Sequence, residues 1–510
     1  MKRRVFIMLS VVLCCLTLVP IANVLSTQGL DGKHWWKRQF LYNMDFMSRW
    51  LSRALYPIGI STDPEQVVVG REGWLYLGDQ YEESRTVTRR GQTPAEVDAG
   101  QRIGAATLAW ERWLAGKGVR LFRVMIAPNK ETIYPEYLPA WAKPSLARPT
   151  ATDALLAGTG TERWIDLRPA LLSAKTSNRD ELYYHVDHHW NSLAAAIAFR
   201  AFAREVGRSL PELRWPTDSA IEVKGFAQRK GGDLANFLRM ADYLQDLEPS
   251  VVAPELAIET TQSDFDSGVI ISRGGNPPVG SPDKPLLVSS VGALNNNRVL
   301  WLRDSFGVSL SPMMAATFSE TLQLHWLAAL KPGGRFAELV EKWKPDYVFV
   351  TVVERLSRYK FFAAYPPVSV IEQRPGFTLV RTTIPVELHG VSHGSAPGEY
   401  RSTGPDPFVV YELAAPILAR EASFLSVGLS CGDNAGKVPI QLFWLSDEKP
   451  YFDEERSVKF VLDPGVRLID LHTIPGWTEK GSVRRLRLDI DSTNVCLDFN
   501  LSDPTLVEMR

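Results

Sequence analysis

The chain has 510 residues, a formal net charge of −1, 45% hydrophobic residues and 23% charged residues. That length exceeds one ordinary core, so two domains are expected, and the mix is that of a globular chain, not a disordered one. Near-neutral charge provides no overall basic field for nucleic acid or another polyanion, so a charged polymer would need a local groove.

Lys2, Arg3 and Arg4 precede an apolar stretch from Val5 to about Leu25. Positive residues stay cytoplasmic, so the rest of the chain is expected to cross to the outside. The stretch is just long enough to span a bilayer and long for a signal-peptide core, so we read an uncleaved anchor, with cleavage after Ser26 as the alternative. Leu13 stands before Cys14 where a lipidation signal wants a small residue. Residues 28–66 read as an amphipathic lead, with Lys33, Trp35, Trp36 and Lys37 suited to a headgroup interface.

Val67-Val68-Val69 and Leu75-Tyr76-Leu77 flank a glycine-containing turn and read as two strands. Thr93-Pro94 opens a helix running to about Ala115. Val119–Ala127 reads as a buried strand ending in the polar turn Pro128-Asn129-Lys130, the end of a strand where open α/β sheets bind ligands. A helix at 152–157 and a strand at 164–167 continue a β-α-β alternation, which implies a parallel sheet with helices on its faces.

Tyr184-His185-Val186-Asp187-His188-His189-Trp190-Asn191 then holds three of the eight histidines around an aspartate, a costly patch to bury without a job. Asn191 caps a helix from Ser192 to about Val206. Residues 207–296, rich in Pro, Gly and Asp, read as insertions forming a lid or groove wall; the turn Gly231-Gly232-Asp233-Leu234 has no evident purpose. A strand at 298–302 leads into Arg303-Asp304-Ser305-Phe306-Gly307 and a helix from about Ser309. Helix 335–343 and strand 347–353 follow, ending in Glu354-Arg355. After about Thr383 the texture changes. Residues 389–407 read as a Gly/Ser/Pro linker, and short alternating runs beyond it suit an antiparallel β-sandwich. Two of the four cysteines, Cys431 and Cys496, fall in that region; with an export signal they are expected to form a disulfide, the alternative being two buried thiols.

Ser305 is the candidate nucleophile, because a strand-to-helix turn projects a side chain at a sheet edge beside free backbone N–H groups. The alternative is that Asp304 or Ser305 only caps the helix. The Gly-x-Ser-x-Gly elbow of α/β-hydrolases is absent. Asp187 and His189 lie two apart, which in an extended segment puts them on one face. There the carboxylate can orient the imidazole as a base for a serine, while His188 points the other way. His185, Asp187, His188 and His189 could instead ligate a metal, but the sequence offers no second cluster to complete such a site. A histidine loop of purely structural role is the third reading. Gly158-Thr159-Gly160 is not a dinucleotide fingerprint, and no phosphate-binding loop is present.

Asp187-His188-His189-Trp190 resembles the signature of the alginate O-acetyltransferase family, the AlgJ/AlgX type with an SGNH hydrolase-like fold. Val68 to Asp79, Ala127-Pro128-Asn129-Lys130 with Tyr134 to Pro139, and Asp304-Ser305-Phe306 resemble further parts of it in the same order, across about residues 60–385. The resemblance implies a catalytic triad of Asp187, His189 and Ser305. It implies no cofactor, and periplasmic transfer of acetyl groups onto an exopolysaccharide, alginate-like or other. A membrane-bound O-acyltransferase would supply the acetyl group. Asn129, Lys130, Trp190 and Arg355 are the candidates for contacting substrate, Asn129 as a second oxyanion donor. A C-terminal sandwich placed like a carbohydrate-binding module is also implied. The expected domains are a leader at 1–27, an SGNH hydrolase-like parallel sheet flanked by helices at 28–385, and a β-sandwich at 395–510. A carbohydrate esterase using the same triad and a non-catalytic polysaccharide-binding scaffold remain the alternatives.

Overall fold

The computed structural model describes residues 2–26, 36–144, 149–177, 180–216, 222–373, 375–431, 436–446, 450–477, 481–490 and 496–509. The chain divides into two compact units. One holds Met1–Val97, Arg123–Trp326 and Phe349–Arg358, the other Asp98–Phe122, Leu327–Val348 and Tyr359–Arg510.

The first unit begins with the helix Lys2–Ser26, whose span Arg3–Leu25, of mean hydropathy 2.7, is long and apolar enough to cross a membrane. Asn23 near its end donates to the carbonyls of Leu41 and Asn43. Of the interfacial residues expected after it, Trp36 and Lys37 are exposed, while Lys33 and Trp35 lie outside the described residues.

Twelve strands follow in chain order: β1 (Val67–Val69), β2 (Leu75–Leu77), β3 (Leu121–Ala127), β4 (Trp164–Asp166), β5 (Glu222–Lys230), β6 (Gln245–Val252), β7 (Glu259–Asp264), β8 (Ile270–Arg273), β9 (Leu286–Val291), β10 (Asn295–Arg303), β11 (Phe318–His325) and β12 (Tyr347–Val353). Eight of them form one sheet in the order β4-β3-β12-β10-β11-β9-β7-β8. β3 runs parallel to β4, and β10 to β11, as the β-α-β alternation implied. The sheet is nevertheless mixed: β9, β7 and β8 extend it as antiparallel strands. These strands come from the stretch expected to be a lid. Thr260-Thr261-Gln262-Ser263 and Ser289-Ser290 carry too few apolar side chains to display a strand's alternation, yet their backbones pair in register.

β12 is buried at every position, an unbroken Tyr-Val-Phe-Val-Thr-Val-Val run suited to the middle of a sheet. Each of its large apolar side chains contributes about 1.5–3 kcal/mol by burial. The helix Ser192–Ser209 packs on it through Phe202, whose ring meets Phe349 edge-on at 4.9 Å. The Asn191 side chain accepts the Ala194 N–H and starts that helix, as expected. β5 and β6 stand apart as a two-stranded antiparallel hairpin.

In the second unit every C-terminal strand pair among the described residues is antiparallel. The long strand Phe377–His389 belongs to two sheets. Its first half pairs with Thr505–Met509 and its second with Phe408–Leu418, with register shifts at Leu379/Arg381 and at Pro385/Glu387. Proline lacks a ladder N–H, so a bulge is where it fits. One core draws on both sheets, Leu425, Val427 and Leu429 from one and Leu442, Trp444, Leu486 and Leu488 from the other. This is the expected sandwich. Cys431 and Cys496 form its disulfide, with Cα atoms 5.4 Å apart. The expected linker is not one: Val391–His393 and Glu399–Ser402 pair as strands, and Gly390 and Gly398 take left-handed turns. Its glycines and serines mark hairpin turns.

Candidate active site

The histidine stretch is a tight loop closed on itself. Tyr183 and Trp190 form an antiparallel bridge, and Asn191 N–H donates to the Leu182 carbonyl. The buried Trp190 donates its indole N–H to the Phe306 carbonyl at 3.0 Å, which ties this loop to the turn after β10. On that turn Asp304 is fixed from three sides: it accepts the Phe306 N–H, the Val353 N–H and the Trp326 indole N–H. Ser305 follows at the start of the short turn Ser305–Gly307.

These constraints bring remote residues together. His189 Nε2 lies 2.7 Å from Ser305 Oγ, across 116 positions of sequence. His189 Nδ1 lies 2.7 Å from Asp187 Oδ1, and the His189 backbone N–H donates to the same oxygen. The Asp187 side chain is 4% exposed and that of His189 23%, so the carboxylate is inside and the imidazole reaches the surface. Burial pushes the Asp187 carboxyl up. The hydrogen bond from His189 and the charges of His189, His188 and Arg229 outweigh it and hold the group well below the usual carboxylate range.

The loop is bent, not extended, and this corrects the expectation for His188. Its ring does not point away; it lies 3.8 Å from the His189 ring, with Nδ1 against the Asp233 carboxylate and Nε2 3.2 Å from Arg355 Nη2. Burial and the neighbouring His189 pull His188 down to about 4, so it is neutral near pH 7. Asp187 and His189 share a side because one carboxylate oxygen caps both the backbone and the ring of His189.

Three participants were not identified from sequence. Arg229, on β5, donates Nη2 to Asp187 Oδ2 at 2.7 Å. Asp233 receives His188 and also accepts its backbone N–H. Glu354 accepts the Asn129 N–H and the Thr132 and Thr152 hydroxyls. The one available signal was the turn Gly231-Gly232. A Cβ on Gly232 would collide with the Asp187 carboxylate, so only glycine lets the chain pass there and deliver Asp233.

The candidates for substrate contact are placed differently from one another. Lys130 is buried; its Nζ donates to the carbonyls of Leu75, His185 and Asp187, and burial pulls it down to about 7. Trp190 is equally enclosed. Asn129 accepts the Arg355 backbone N–H through Oδ1, at 3.4 Å. Asn129 and Arg355 both line a cavity of about 250 Å³, with Ser84, Thr132, Glu354 and Arg358 on its wall.

Asp187, His188, His189 and Asp233 also offer ligand atoms within 4.8 Å of one another. Asp233 completes a set that the sequence alone left short. The Arg229 cation bonded to Asp187 opposes a metal ion electrostatically, as a like charge at the same carboxylate.

Residues 67–274 match the family described as the SGNH hydrolase-like domain of acetyltransferase AlgX. No curated protein matches the sequence significantly. Among solved structures, the chain is similar to a DHHW family protein from Eubacterium siraeum at 15% identity, over 60% of this chain and 96% of that one, with a TM-score of 0.41. It is similar to the O-acetyltransferase domain of Pseudomonas putida AlgJ at 18% identity, over 58% and 92%, with a TM-score of 0.35. It is similar to Pseudomonas aeruginosa AlgX at 13% identity, over 88% and 95%, with a TM-score of 0.36.

Proposed function

With residues 67–274 matching the SGNH hydrolase-like domain of acetyltransferase AlgX, we propose that the chain is a periplasmic O-acetyltransferase that esterifies hydroxyls of an exopolysaccharide through an acetyl-serine. The observation that carries this reading is the unbroken line Asp187–His189–Ser305, both links 2.7 Å long. His189 takes the Ser305 proton as Oγ attacks the acetyl carbonyl. The tetrahedral oxyanion would be held by the Ser305 backbone N–H, with Asn129 as the second donor, because the Phe306 and Gly307 N–H groups already donate to Asp304. The donor's leaving group departs with the proton from His189, giving acetyl-Ser305. A sugar hydroxyl then attacks, loses its proton to His189, and leaves acetylated as Ser305 regains its own.

Asp187 keeps His189 in the tautomer that presents Nε2 to serine, and stabilises the imidazolium. Lys130, with its ammonium spent on three carbonyls, acts here as a tie between the catalytic loop and β2. Arg355 stands at the cavity wall beside Asn129, where it would meet substrate. The acetyl donor would be a membrane-bound O-acyltransferase, reached from an N-terminal anchor, and the sandwich would hold polymer.

Water in place of the sugar would make the same site an esterase; the difference is exclusion of water and binding of the acceptor. Full-length protein incubated with an activated acetyl ester and oligosaccharides should yield acetylated sugar in excess of free acetate, and an acetyl group on the peptide holding Ser305. Ser305→Ala should abolish both. Undiminished transfer by Ser305→Ala would remove the triad, and acetate as sole product would favour the esterase.

A further inference from the structure

The hairpin β5–β6 lies outside the sheet that carries Ser305, yet one of its faces grips the catalytic loop. Arg229 and Asp246 are register partners, and Glu248 follows two residues on, so the three share a face. Asp246 accepts the backbone N–H groups of His185 and Val186, at 2.7 and 3.0 Å. Glu248 accepts the hydroxyls of Tyr184 and Ser192. Arg229 bonds Asp187 and lays its guanidinium 4.1 Å from the centre of the Tyr184 ring.

Two carboxylates compete for one imidazole here. His189 Nδ1 is 2.7 Å from Asp187 Oδ1 and 3.9 Å from Asp233 Oδ2. Asp187 is inside and Asp233 partly exposed, so desolvation alone would favour Asp233 as the charged partner. Arg229 reverses that preference, because of these two carboxylates it is Asp187 that it bonds. Its other terminal nitrogen, Nη1, is buried without a hydrogen-bond partner among the described residues. The guanidinium is thus held there by Asp187 and by the face of an aromatic ring.

We infer that β5–β6 is a clamp on the catalytic loop, and that Arg229 is a positioning residue that makes Asp187, not Asp233, the partner of His189. It acts through Asp187 and does not touch the reacting atoms. This rests on the triad reading proposed above.

The test is turnover of an acetyl ester by the full-length chain. Arg229→Ala should lower kcat by roughly 10- to 100-fold, the range for losing a residue that orients a catalytic ligand, with KM near wild type. Free guanidinium should restore part of the lost rate to Arg229→Ala and not to wild type, while sodium chloride at equal ionic strength should not. The double variant with Asp187→Asn should be no slower than Asp187→Asn alone, since residues acting as a unit do not add. Wild-type turnover by Arg229→Ala, or a loss that guanidinium leaves untouched and that multiplies with the Asp187→Asn loss, would overturn the clamp. If Arg229→Ala does not fold, Arg229→Lys in the same cycle decides it: the residual loss must vanish in the Asp187→Asn background. Ser305→Ala run alongside separates the two ideas. If Ser305→Ala is inactive while Arg229→Ala is unimpaired, the clamp alone fails, whereas an active Ser305→Ala variant fails the triad.

Discussion

At the scale of single residues, the convergence of Asp187, His189 and Ser305 was legible in the sequence, but for an incomplete reason. Alternation along an extended strand put Asp187 and His189 together. The structure does so by a bend in which one carboxylate oxygen caps both the backbone and the ring of His189. The same bend brings His188 back onto His189, which alternation excluded. Arg229 and Asp233 were illegible because their partners lie 42 and 45 positions away and nothing local marks the pairing. His188 has a consequence for stability. Native His188 stays neutral down to about 4, whereas an unfolded imidazole takes its proton near about 6.5. As pH falls through that window the unfolded chain binds a proton that the native chain does not. The contribution of His188 is therefore complete above about 6.5 and is lost progressively toward about 4, on the order of 3 kcal/mol in all. Asp187 works lower: its depressed carboxyl contributes above the ordinary carboxylate value, about 3.9, and its share is lost below that. Urea midpoints should fall between about pH 6.5 and pH 4 in the wild type and fall less in His188→Gln. Equal slopes in the two would contradict this account.

Elements were read well where an unbroken apolar run or a cap residue marks them. β12 is found at the residues expected, and the helix Ser192–Ser209 begins at its expected cap. β7–β9 and the hairpin in 391–402 were misread because polar strands and glycine turns imitate loops when pairing partners are unknown. The sandwich was legible from its alternating runs, and its disulfide from two cysteines in one region of a chain whose N-terminus reads as an export signal. That cross-link spans 65 positions, and a loop of this length stabilises by about 4 kcal/mol in the chain-entropy account. Replacing both Cys431 and Cys496 by serine should lower the melting temperature of the transition assigned to the C-terminal unit. An unchanged melt, or thiol titration finding both groups free in the native protein, would refute it.

For the whole molecule, composition bounded the class correctly, but the division into units cuts across chain order. Each unit is assembled from three separate stretches, and such interleaving depends on contacts that no window of sequence displays. The apolar helix Lys2–Ser26 is the exception, legible from hydropathy alone. Full-length protein should sediment with membranes and resist an alkaline carbonate wash, and a chain lacking residues 1–26 should not. Release of the full-length chain by that wash would leave a removed signal as the better account.

The position of β12 has one more implication. It is the last strand of its sheet to be synthesised, yet it sits between β3 and β10. Its end supplies the Val353 N–H to Asp304 and, one residue on, the Glu354 carboxylate that accepts the Asn129 N–H. A nascent polypeptide holds Ser305 and His189 before their hub arrives. The Asp304 carboxylate beside Ser305 therefore gains its Val353 N–H only once the chain has grown past that residue.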